Sequence, residues 1–120
     1  FFVDMFETSL EEDEIVISVT FPFRKSTYYL KTSSQASKYA IVGVFGSFFE
    51  GKLSVSITGA ANKVFSLDQI SNMSSEELKS FDFTDLDLSK LDINNDLHAS
   101  ATYRESLIRS LLSKLISIML

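Results

Sequence analysis

Asp96-Leu97-His98-Ala99-Ser100 sets a carboxylate, the single histidine of the chain and a hydroxyl at alternate positions. These are the three side-chain types of a nucleophilic relay. A working relay needs groups that converge from separate elements beside an oxyanion hole, and three alternate neighbours on one stretch do not supply that. The run is therefore expected to be a helix-entry loop with capping oxygens. Asp85, Asp87, Asp92, Asn94 and Asp96 form a second concentration, of the oxygen type that hard cations use. Counted as an EF-hand loop from Asp85 or Asp92, the sixth position is Lys90 or Leu97 rather than glycine. The twelfth is Asp96 or Tyr103 rather than glutamate, so a solvated loop is expected. No G-x-G-x-x-G or Walker loop is present to cradle a pyrophosphate. The remaining candidate is YLKTSSQASKYA, residues 29–40, in which Lys31 and Lys38 flank a run of hydroxyls and an amide. On composition alone it is a connector between strands.

The elements that must position these residues follow from periodicity. Glu14 to Phe21, EIVISVTF, alternates strictly, with Ile15, Ile17, Val19 and Phe21 on one face and Val16, Ser18 and Thr20 on the other, which predicts a half-buried strand. Pro22-Phe23-Arg24-Lys25 is expected to turn the chain into a second strand over Ser26 to Ser33, closing a hairpin. A second hairpin is expected from Ala40 to Glu50 and the KLSVSIT run after Gly51. Gly43 and Gly46 in the longer strand suit a bulge or a close approach. Ser74 and Glu77 make a capping-box pair for a short helix, and the acidic FDFTDLDLSKLDINND stretch reads as loop. Thr102 and Glu105 offer another capping box ahead of a long amphipathic helix carrying Tyr103, Leu107, Leu111, Leu115 and Met119 beside Ile108, Leu112 and Ile116. Arg104, Arg109 and Lys114 interrupt its apolar run, so it should pack on the sheet rather than span a bilayer. The fold class expected is α+β, an antiparallel sheet of two hairpins packed against C-terminal helices.

Composition limits the setting. A chain of 120 residues, 45% apolar, has the size of one domain around one core. A net charge of -5 repels a phosphate backbone, which argues against nucleic acid as a partner. With no cysteine there is no disulfide framework and no sulfur-built metal site, and a cytoplasmic location is expected. The start at Phe1-Phe2, without methionine, suggests a piece of something longer. Eleven phenylalanines and four tyrosines exceed the obvious needs of a modest core. Phe1, Phe2 and Phe6 are expected either to dock on a neighbour or to cap the sheet of the domain itself.

Three segments in order, FFVDMFETSLEEDEIVISVTFPF, YYLKTSSQASKYAIVGV and DLHASATYRESLIRSLL, resemble the C-terminal domain of the FAD-binding (medium) subunit of molybdenum hydroxylases. That family includes aerobic carbon monoxide dehydrogenase and xanthine dehydrogenase. The resemblance rests on F-F-x-x-x-F-x-T-x-L-x-x-x-E-I, on a strand ending in Pro22 and on the late D-x-H-x-S-A-x-Y-R, and it covers nearly the whole chain. It implies an electron-transfer role, with most of the FAD held by upstream domains of the same subunit. The molybdenum cofactor and 2Fe-2S clusters would sit on partner subunits. It further implies that Val16 approaches the flavin through its backbone and that Lys31 reaches the ring or its ribityl region. The isolated domain would not be catalytic. The sequence departs from the family pattern at Gln35, where arginine is usual, and at Lys38, where aspartate is usual. It departs again at Asn62 and Phe65, in place of the usual proline and arginine. The alternative expectation is a stand-alone protein-interaction module with no cofactor.

Overall fold

A computed structural model describes residues 1–21, 23 and 26–120. The predicted turn at Pro22-Phe23-Arg24-Lys25 therefore falls largely outside the described residues. The architecture is α+β, with two antiparallel sheets, of two and four strands, and a C-terminal helix. A miniature hairpin pairs β1 (Phe2–Asp4) with β2 (Glu7–Thr8). The main sheet runs β3 (Ser26–Ser33), β4 (Ala40–Phe49), β5 (Lys52–Thr58), β6 (Phe65–Ser66), each strand beside its sequence neighbour. Helices α1 (Asp68–Ser71) and α2 (Ser75–Ser80) and a 3₁₀ turn at Phe83–Asp85 precede the long α3 (Ala101–Met119).

The β4–β5 hairpin is built as the sequence predicts. Phe49 opposes Lys52, so the connection is the two residues Glu50 and Gly51, with φ of 50° and 79°. Two left-handed residues in a row are what a two-residue turn needs to match the strand twist, and glycine takes the second without strain. Among the described residues the first expected hairpin does not form. Strand β3 pairs with β4, and Glu14 to Phe21 joins no ladder among the described residues. Its expected half-burial fails too: Ile15, Ile17, Val19 and Phe21 are 80%, 89%, 66% and 84% exposed. Alternation measures fitness for a pleated, half-buried surface, and only a partner strand turns that fitness into structure.

One face of the main sheet carries the core. Val42, Val44, Leu53, Val55 and Ile57 project from it against Ile108, Leu112, Leu115 and Ile116 of α3 and against Ile70 and Leu78 of the short helices. Gly46 lets α3 come close: a Cβ there would sit 2.6 Å from Leu115 Cδ2 and 2.7 Å from Met119 Sδ. The opposite face carries Thr27, Tyr29 and Lys31 of β3, Gly43, Phe45, Ser47 and Phe49 of β4, and Ser54, Ser56 and Thr58 of β5, by register. Among the described residues no helix packs on this face. The acidic stretch before α3 is not the solvated loop expected. Phe83, Leu86 and Leu88 are buried in the core, and the neighbouring Asp82 and Asp87 bind local backbone and hydroxyl groups. Asp82 Oδ1 accepts from Thr84 N and Oγ1, and Asp87 Oδ1 accepts from Ser89 N and Oγ. The capping box at Ser74 and Glu77 is present in both directions, at 2.7 and 3.3 Å.

Candidate functional site

The connector between β3 and β4 is a closed structure. Ser34 N donates to Tyr39 O at 2.8 Å and Lys38 N donates to Ser34 O at 3.0 Å, which forces Lys38 into the left-handed region with φ 63°. Its carbonyl then receives Lys31 Nζ at 3.1 Å. The Lys31 ammonium is thus positioned by the backbone of its own loop, on the helix-free face of the sheet, in a register row with Gly43 and Thr58. Beside it the Tyr29 ring lies over Gly43, where a Cβ would collide with it, and its hydroxyl meets Thr58 Oγ1 at 3.3 Å. Gly43 therefore serves a close approach, one of the two roles its sequence position suggested.

Val16, the other residue singled out by sequence, lies on the unpaired segment and is 51% exposed. Among the described residues no ladder joins its segment to the strand of Lys31, so the structure does not bring the two together.

The Asp96-to-Ser100 run has a structural use for its acid and its hydroxyl. Asp96 Oδ1 accepts from His98 N at 2.8 Å and Ala99 N at 3.1 Å, and its Oδ2 accepts from Arg104 Nη2 at 2.7 Å. Ser100 is the N-cap of α3, accepting from Tyr103 N at 3.2 Å. With the carboxylate and the hydroxyl both committed elsewhere, no relay through His98 exists. The expected capping box at Thr102 and Glu105 is corrected by the same geometry. The helix starts at Ala101 with Ser100 as its cap, so Thr102 already lies inside it, and Glu105 pairs with Arg109 one turn on, at 3.3 Å.

The residue that sequence reading undervalued is Arg104. Only 4% exposed, it donates from Nη1 to Ile41 O at 2.7 Å and to Gly59 O at 3.0 Å, besides its pair with Asp96. Ile41 is the extra residue of a β-bulge, because Thr32 opposes Val42 while Ser33 opposes Ala40. A bulge leaves backbone groups without ladder partners, and a buried carbonyl must find a donor elsewhere. Arg104 supplies it, tying the start of β4, the end of β5 and the α3 entry loop to one guanidinium. A signal for this exists in the sequence. Arg104, Ile108, Leu112 and Leu115 follow one another at spacings of four, four and three, which puts the arginine on the buried stripe.

The two backbone N–H groups of His98 and Ala99, followed by the Arg104 guanidinium, hold the Asp96 carboxyl below its ordinary value of 3.8. A carboxyl depressed in the folded state stabilises the fold at pH above the unfolded value, and that contribution disappears as pH falls through the folded value. Melting temperature should therefore drop below about pH 4. Asp96→Asn, which keeps an oxygen for the two N–H groups, should show a shallower acid limb in melts at pH 7, 4 and 3. An identical slope would show that the charge of Asp96 contributes nothing.

Compared with protein-family models, with curated proteins and with solved structures, the chain gives no match. No described helix is long and apolar enough to cross a membrane.

Proposed function

We propose that the chain is the C-terminal domain of the FAD-binding subunit of a molybdenum hydroxylase-type oxidoreductase, with the fold of the carbon monoxide dehydrogenase flavoprotein C-terminal domain. In that role it covers a flavin held mainly by upstream domains, in a cytoplasmic complex with molybdenum and iron-sulfur subunits. The observation that carries the reading is the position of Lys31. It stands on a sheet face free of described helices, oriented by the Lys38 carbonyl, next to an aromatic row of Tyr29 and Phe45 that is roughly half exposed.

The residues present fit an isoalloxazine in kind. With no Cβ at Gly43 the Tyr29 ring stays close to the sheet, which leaves a low face that a planar ring can approach. An ammonium beside it favours the negative charge that a flavin gains on reduction. Bound FAD would supply the electron relay between iron-sulfur clusters and an acceptor. The work of this chain is to exclude water from one side of the ring and to hold a positive charge at Lys31 Nζ. Hydroxyls at Ser56 and Thr58 on the same face offer further polar contacts.

In a subunit assembled from this chain and the flavin-holding domains, Lys31→Ala should leave the fold intact and lower the flavin midpoint potential. Spectroelectrochemical titration together with flavin content per polypeptide reads both effects. Unchanged potential and unchanged content would remove Lys31 from the site.

A second reading, an interaction module without cofactor, is favoured by one specific observation. Phe1, Phe2 and Phe6 are 61%, 59% and 102% exposed on the β1–β2 hairpin, a concentration of aromatic surface that partners commonly cover. Flavin titration separates the two readings, since this one requires that no flavin binds under any assembly.

A further inference from the structure

We propose that Glu14–Phe21 is a donated strand, which adds to the open edge of β3 in a second copy of this chain, while that copy returns its own segment to the first. The inference goes beyond the flavin reading and does not depend on it.

Donor and acceptor are both on the molecule, and neither has a ladder partner among the described residues on the side concerned. The donor alternates over eight residues, and its apolar members are among the most exposed in the chain, ending with Phe21 at 84% and followed by Phe23 at 89%. The acceptor is β3, an end strand of the main sheet and also eight residues long. An open edge of this kind is a template for another strand.

Two independent matches set the register. Antiparallel pairing with full overlap places Glu14 opposite Ser33 and Phe21 opposite Ser26. In that register Ile15, Ile17, Val19 and Phe21 fall opposite Thr32, Leu30, Tyr28 and Ser26, the β3 residues on the α3 side of the sheet. The apolar face of the donor thus extends the core side, and Ser18 and Thr20 extend the helix-free side. A one-residue slip would reverse every side chain, so the parity is fixed by burial. Charge fixes the direction. The acidic run Glu11, Glu12, Asp13 and Glu14 precedes the donor and comes beside the end of β3 that carries Lys31 and leads into the loop of Lys38.

The occupant is a second copy because each chain presents one donor and one acceptor of the same length and complementary charge. A two-fold axis satisfies both at once. Among the described residues the segment is not laddered to the β3 edge of its own chain. Exchange also completes the candidate site, since Val16 of the second copy would lie opposite Lys31.

The chain has no cysteine, which makes cross-linking specific. Thr20 and Thr27 face each other in the proposed register. The double variant Thr20→Cys/Thr27→Cys, oxidised, should run as a covalent dimer on a non-reducing gel, with the disulfide-linked peptide joining positions 20 and 27 found by mass spectrometry. A cross-linked monomer would overturn the proposal, because the segment would then lie on its own β3, and so would the absence of that disulfide. Light scattering of the unmodified chain should give twice the monomer mass. Ile17→Pro should raise the dimer dissociation constant at least tenfold. Ile17 is 89% exposed, so the melting temperature of the monomer should not change. A monomeric unmodified chain, or a dimer indifferent to this proline, would also overturn it.

Discussion

Replacing Arg104 with methionine is expected to lower the free energy of unfolding by about 3 kcal/mol, measured by urea denaturation. Methionine conserves much of the apolar stem and removes the guanidinium, so packing is not the main loss. What is lost is the donor to two backbone carbonyls, Ile41 O and Gly59 O, and the partner of Asp96. A hydrogen bond from a charged group is worth roughly 1.5–3 kcal/mol, and a buried acceptor left unmade adds its desolvation penalty. Asp96 itself is 42% exposed on its side chain and recovers water, so the ion pair is the smaller part. Arg104→Lys should recover only a fraction, because an ammonium cannot span both carbonyls and the carboxylate with the geometry of the planar fork. A loss below about 1 kcal/mol for the methionine variant would mean that water satisfies the bulge and that the clamp is incidental.

The second large effect is expected at Gly59. Its φ is +75°, and a Cβ there would run into the carbonyl of Ala40 and sit 3.1 Å from that of Ile41. Gly59→Ala should cost about 3 kcal/mol, combining left-handed strain with a backbone collision at the bulge. Gly51→Ala is the matched control. It has φ +79° but open space around the new Cβ, so it should cost only about 1 kcal/mol. Equal losses in chemical denaturation would show that conformation alone is responsible and that the Ala40 contact yields freely.

How much of this was legible depends on which interactions are local. The β4–β5 hairpin and α3 were readable because their signals lie within a few residues: alternation on both sides of Glu50-Gly51, and four-residue apolar spacing after Ser100. The Ser74–Glu77 box was readable for the same reason. Glu14–Phe21 has the best alternation in the chain, yet whether a strand finds a partner is set by topology, and the local pattern could not say that β4 would take the inner edge of β3. The aspartates of the 82–92 stretch misled in another way. Their number suggested solvation, while Phe83, Leu86 and Leu88 between them were the residues that decided burial. The bulge at Ile41 has no composition of its own, so the role of Arg104 could be suspected from the buried stripe of α3 but not assigned to a carbonyl. Of the two candidate site residues, the position of Lys31 follows from a loop whose closure depends on Lys38 adopting a left-handed conformation. That is a choice few would read from a lysine.

The bulge clamp has a consequence for the order of events during synthesis. The chain leaves the ribosome from its N-terminal end, so β3, β4 and β5 are available well before Arg104 emerges. Until then the carbonyls of Ile41 and Gly59 can be satisfied only by water, and the end of the sheet that they occupy stays hydrated. The turn at Glu50-Gly51 is closed by its own two left-handed residues. The sheet should therefore zip from its turn toward Gly59 and wait there, finishing only when the final helix delivers its guanidinium.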